Sequence, residues 1–291
     1  MSEPSGVIHD IGYRHYDGPR HGRAYARTAL FTNSLRGAFG LGRPAKSKIM
    51  PMLLGVIMLL PATVSIAVMA LLREGPLSYT GYAVTMQAVV AIFLATQAPY
   101  LVGPDQRYRV LPLLFSRPGT PTDYIVAKVA AIVGAMMIIM VLPITLMFVG
   151  EIFVNPPGPL HTGDYLRGVG GAFLFAIFLG TVGIALASLT PRRGLGVASV
   201  IAFYLITLAT STVLSGVLES LSHDTASRWT LLINPFMLVD AIQVWIFGSR
   251  PALGIDYPSG AGGPVALLAV LLLIGAALAI LVNRYRKAAS S

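Results

Sequence analysis

Six apolar stretches, each roughly 19 to 25 residues long, constrain this chain more than any other feature of it. They cover residues 49–72, 82–102, 125–149, 169–189, 195–218 and 264–282. A helix needs about 20 mostly apolar residues to cross a hydrocarbon core of roughly 30 Å. Inside that core every backbone polar group must find its partner within the protein, so each such stretch is expected to be a helix. The predicted fold is therefore all-α, a polytopic membrane protein with six spans. Only 11% of the 291 residues are charged, against about 25% in a typical soluble domain. With 55% hydrophobic residues, disorder is excluded as well. The chain has no cysteine, which removes disulfides, thiolate nucleophiles and thiolate metal sites.

Lys and Arg set the expected orientation, since they collect on the cytoplasmic side. With six spans, 17 of the 21 fall on one side and only Arg73, Arg167, Arg228 and Arg250 on the other. Both termini are then cytoplasmic, in the cell's inner membrane. A seventh stretch, residues 229–247, is weaker because it holds Asn234, Pro235, Asp240 and Gln243. A seventh crossing would carry Arg284, Arg286 and Lys287 outside, so the segment reads as a pair of short re-entrant or interfacial helices bent at Asn234 and Pro235. Residues 1–48 form a polar, basic leader, with no apolar core of the kind a secretory signal has. Residues 49–284 form the membrane domain and 285–291 a short tail. No internal repeat is visible.

Within the leader, His9, Asp10, His15, Asp17 and His21 lack tetrahedral ligand spacing and read as a solvated tail. From residue 23 to residue 39 the apolar residues Leu30, Phe31, Leu35, Ala38 and Phe39 recur at helical spacing, with Arg23, Arg27 and Arg36 mostly elsewhere. That pattern predicts an amphipathic helix along the inner headgroup layer. The loop between the second and third spans carries Val110, Leu111, Leu113, Leu114 and Phe115 between polar edges. So apolar a block either packs under the spans or docks into another protein. Thr122 or Asp123 is expected to cap the next helix.

The run from Arg109 through Ser116, Arg117, Pro118 and Tyr124 to Lys128 resembles the permease subunits of ATP-binding cassette transporters, more narrowly the type-2 export family. That pattern is a basic residue, an apolar block, Ser-Arg-Pro, then Tyr and Lys entering the third span. The leader from Ile8 to Arg20 is similar to leaders of actinobacterial members. In the Arg109–Lys128 run Ala127 departs from the family pattern, since Gly is common before that Lys. The resemblance implies a dimer of permease copies served by two ATPase chains, which hold the ATP and Mg; this chain binds no cofactor itself. It also implies a coupling helix over residues 107–116, seated in a cleft of the ATPase. Arg107, Arg109, Leu111, Leu113, Leu114, Phe115 and Arg117 would serve that contact, with Arg192 and Arg193 in a smaller one at the 190–194 turn. Export is the implied direction, and no nucleic-acid partner is expected.

Nothing in the chain itself reads as catalytic. There is no Gly-x-x-x-x-Gly-Lys-Ser/Thr loop, no Gly-x-Ser-x-Gly elbow and no His-Glu-x-x-His motif. Gly168, Gly170 and Gly171 read as close helix packing, and Gly183 with Ala187 as a small-residue pair. None of the six stretches carries Asp or Glu in its interior, Glu151 lying past an end. Ion-coupled carriers usually need such a group at mid-membrane, so energy is expected from a partner. Tyr204, Thr207, Ser211 and Ser215 share one facet of the fifth span, either on the translocation path or dimer seam, or engaged in ordinary hydrogen bonding. Gln87 and Gln97 of the second span are read the same way, and Met136, Met140 and Met147 as cavity or core. An ion-coupled carrier or channel and a non-transport assembly subunit remain the rival readings.

Overall fold

The computed structural model describes residue 18 and residues 22–73, 77–108, 110–115, 119–154 and 158–289. Among these are eleven helices and no strand. In chain order they are α1 (Arg23–Ala38), α2 (Lys46–Leu72), α3 (Tyr82–Thr85), α4 (Gln87–Arg107), α5 (Leu111–Phe115) and α6 (Pro121–Val154). The second half holds α7 (Thr162–Ser188), α8 (Arg193–Ser220), α9 (Asp224–Leu231), α10 (Pro235–Phe247) and α11 (Gly262–Ala289). Six of them, α2, α4, α6, α7, α8 and α11, are long and apolar enough to cross a membrane. The chain is an all-α polytopic membrane protein.

The bundle is built around α7, whose most apolar window is 67% buried against 17% for α8 and 22% for α11. Small residues make that central place possible. A Cβ on Gly168 would lie 3.0 Å from the Tyr79 backbone, one on Gly183 2.7 Å from Leu94, and one on Gly170 3.3 Å from Phe247. Because backbone cannot step aside as a flexible side chain can, Gly168→Val is expected to cost about 1–3 kcal/mol. Thermal unfolding in detergent checks it, with Gly163→Ala as control, since nothing lies within 4 Å of that position. The methionines Met136, Met140 and Met147 are core, each 1% exposed or less.

α1 is held by protein as well as by its amphipathic pattern. Ala38 is buried, and Leu30, Phe31, Leu35 and Phe39 pack on the core. The helix runs alongside α6: Arg23 donates to Asp123 at 2.5 Å, and Leu35 lies over Gly134. The cap of α6 is Thr120 rather than Thr122 or Asp123. Its hydroxyl accepts from the Asp123 N–H at 3.3 Å while the Asp123 carboxylate accepts from the Thr120 N–H at 3.0 Å. That is a reciprocal capping box, with Pro121 pre-set at the first helical position.

Several stretches differ from their sequence outline; α7 begins at Thr162 and α11 runs to Ala289, each seven residues beyond its apolar run. The second breaks at Met86, where α3 gives way to α4; Tyr82 on α3 donates its hydroxyl to the Met58 carbonyl of α2. The third is longer than its apolar run. α6 has 34 residues, about 51 Å at 1.5 Å per residue, and Glu151 lies inside its last turn at 1% exposure rather than past an end. The carboxylate is tolerated there because Tyr79 Oη and the His161 N–H donate to it and His161 Nδ1 sits 2.7 Å away. Burial, then the Glu151 contact, hold the Tyr79 hydroxyl well above its usual value, so it stays a donor.

The segment expected at residues 229–247 begins earlier: Asp224–Leu231 (α9) and Pro235–Phe247 (α10) are two short helices bent by 106°. α9 ends at Leu231, and Asn234 caps α10, its side chain accepting from the Phe236 N–H at 2.9 Å with Pro235 at the first turn.

Candidate functional site

The arginine-rich end of the bundle gathers both segments singled out for an external contact. At the end of α4 the chain turns through Tyr108, and the Val110 N–H donates to the Asp105 carbonyl at 3.1 Å. α5 follows with Leu111 at 4% exposure, inside the core. Leu114 and Phe115 pack partly buried, Phe115 edge-on to Tyr124 with centroids 6.2 Å apart. Leu111, Leu114 and Phe115 of the apolar block therefore pack under the spans. Its outward surface is made by Arg107, Tyr108 and Pro112, with Tyr108 70% exposed. Arg109, Arg117 and the side chain of Leu113 lie outside the described residues.

Beneath α5 a polar node joins three spans. Tyr124 of α6 stands 4.8 Å from Tyr285 of α11 and donates to Asp105 of α4 at 2.7 Å. Lys128 of α6, its side chain 9% exposed, reaches the same carboxylate at 2.8 Å and the Leu101 carbonyl at 2.6 Å. Gln106 donates to the Tyr285 hydroxyl at 3.1 Å. The Tyr and Lys of the sequence motif thus meet at one carboxylate. Asp105 and Tyr285 belong to no local pattern, since they lie 19 and 161 residues from Tyr124.

Beside α5 a groove of about 920 Å³ is lined by Leu111 and Pro112, by Leu189 and Pro191 of the α7–α8 turn, and by Tyr285 and Arg284 of α11. Arg192 and Arg193 next to that turn are exposed. Two segments about 75 residues apart in sequence thus border one concave surface.

The remaining sequence candidates sit elsewhere. Tyr204 and Ser211 are 5% and 3% exposed. Tyr204 packs on Phe236 of α10 with centroids 5.8 Å apart, and Ser211 donates to the Leu231 carbonyl of α9 at 3.4 Å. Thr207 donates to the Phe203 carbonyl and Ser215 to the Thr212 carbonyl, both within α8. Part of the facet thus meets α9 and α10 within the chain, and the buried Tyr204 hydroxyl has no partner among the described residues. Gln87 accepts from Asn234 at 3.2 Å, and Gln97 is buried beside Thr96.

At the opposite end, Asp240 of α10 is 0% exposed. One oxygen accepts from the Ala252 N–H at 2.9 Å and from Tyr257 at 2.6 Å. The other oxygen, and both amide atoms of buried Gln243, have no partner among the described residues. No group of three or more His, Asp or Glu among the described residues is placed to hold a metal. No family model matches the chain, and no curated protein matches it.

Proposed function

We propose that the chain is the permease subunit of an ATP-driven exporter, working as a dimer with a separate ATPase at its arginine-rich end. The observation that supports this most is the groove shared by α5 and the α7–α8 turn, backed by a node that links α5 to α4, α6 and α11. A short helix so seated can pass a push to three spans at once. For the motion to do work, the ATPase must grip this surface differently with and without ATP. α8 keeps an apolar outer face, with Leu205, Ile206 and Val213 58–64% exposed; we assign it to the second permease copy. Reconstitution with a candidate ATPase chain tests the reading. Cargo should cross the liposome membrane only with ATP and both chains present. Flux through the purified chain alone would remove it.

A second reading, an ion-coupled carrier, is favoured by Asp240, whose unpartnered oxygen and orphan neighbour Gln243 suit a proton or an ion. Under it a pH gradient alone drives flux, and Asp240→Asn abolishes that flux. ATP-dependent flux that survives Asp240→Asn unchanged would eliminate it.

A further inference from the structure

The α1–α2 turn folds a guanidinium back over the base of α4. Arg43 stacks on the Tyr100 ring, its guanidinium carbon 3.5 Å from the centroid, and Arg193 of α8 lies 5.8 Å from the same centroid. Two like charges share one ring. Next to Arg43 opens a pocket of about 610 Å³, lined by Arg43, Tyr100, Arg36, Thr32 and Asn33, with Arg193 across the shared ring rather than in the lining. Burial first, and the facing Arg193 second, push the Arg43 guanidinium below its usual value. At this end, among the described residues, the carboxylates are Asp105 and Asp123, and both are engaged, with Lys128 and Arg23. Among the described residues the three guanidinium groups of Arg36, Arg43 and Arg193 have no carboxylate partner.

We propose that this pocket binds the phosphate of an anionic phospholipid headgroup through Arg43, Arg193 and Arg36. Guanidinium forks match phosphate oxygens two at a time, and Thr32 and Asn33 add neutral donors. A lipid is favoured over free phosphate by what surrounds the opening. Leu41 on its rim is 42% exposed, and α2 begins just beyond with Lys46 and Lys48, followed by Ile49 and Leu53 at 62% and 51% exposure. Such a step from charge to exposed hydrocarbon marks where headgroups meet acyl chains. Free phosphate would gain nothing from that apolar rim. The inference is independent of the transport reading.

Native mass spectrometry of the detergent-purified full chain, titrated with phosphatidylglycerol and separately with inorganic phosphate, tests it. The variant Arg43→Gln with Arg193→Gln should lower phosphatidylglycerol affinity roughly tenfold or more. The charge-matched control Arg286→Gln with Lys287→Gln should not. Arg43→Lys, which keeps the charge but loses the fork, should bind at an intermediate level, and unchanged melting shows that each variant is folded. Equal weakening by the control pair would overturn the site in favour of diffuse attraction. Displacement of the lipid by millimolar inorganic phosphate would overturn the lipid as the source of the phosphate.

Discussion

Asp105→Ala is expected to destabilise the bundle by about 3 kcal/mol, because it leaves the Lys128 ammonium buried with a single carbonyl. Lys128 has 9% of its side chain exposed and Asp105 24%, so water can compensate little of the loss. Tyr124 loses its acceptor in the same step, which adds an unmade hydrogen bond to the cost. The measurement is unfolding in detergent, and the decisive comparison is the double variant Asp105→Ala with Lys128→Met. Removing both charges should recover most of the stability, since an apolar pair can replace a buried ion pair at little cost. A single variant that loses under about 1 kcal/mol would mean that the pair behaves as a screened surface contact.

Arg107→Glu combined with Tyr108→Asp should abolish ATP-driven transport while leaving the fold intact. Both side chains lie on the outward surface beside α5, so reversing the charge of Arg107 and adding one at Tyr108 leaves no buried group unsatisfied. Loss of exposed anchors at an interface centre typically costs 2 kcal/mol or more, about 30-fold in affinity. Pull-down of the ATPase, flux and melting temperature together read the outcome. Retained flux, or a collapsed melting curve, would remove these residues from the contact. Leu111→Asp is not an equivalent test, because Leu111 lies 4% exposed in the core and a carboxylate there would unfold the loop whatever it does for coupling.

How far the sequence carries depends on the range of the interaction. The spans were legible because hydrocarbon demands about 20 apolar residues in a row, a local and strong requirement. The bend at Asn234 and Pro235 was legible for a similar reason, a capping side chain next to a residue with no N–H. The capping box of α6 was also present, but Thr120 was passed over for residues nearer the apolar run. Glu151 was misplaced because its three partners come from residues 79 and 161, and an apolar window ends at a charge whether or not the helix does. The face of α5 is another such case. Leu111, Leu114 and Phe115 turn inward, so Tyr108, with no periodic partner, becomes the exposed aromatic. Pairings such as Asp105 with Lys128 and Gln106 with Tyr285 are fixed by packing alone.

Two of the buried charges of α6, Lys128 and Glu151, carry a consequence for the bilayer. Lys128 and Glu151 are 23 positions apart on one helix, roughly 35 Å at 1.5 Å per residue, close to one hydrocarbon thickness. Each is tethered to neighbouring backbone or side chains, so neither end can slide into lipid without breaking its own bonds. The protein thus carries a fixed gauge of membrane depth. A thinner or thicker lipid must be met by tilt of the whole bundle, and acyl-chain length becomes a variable to which its stability should respond.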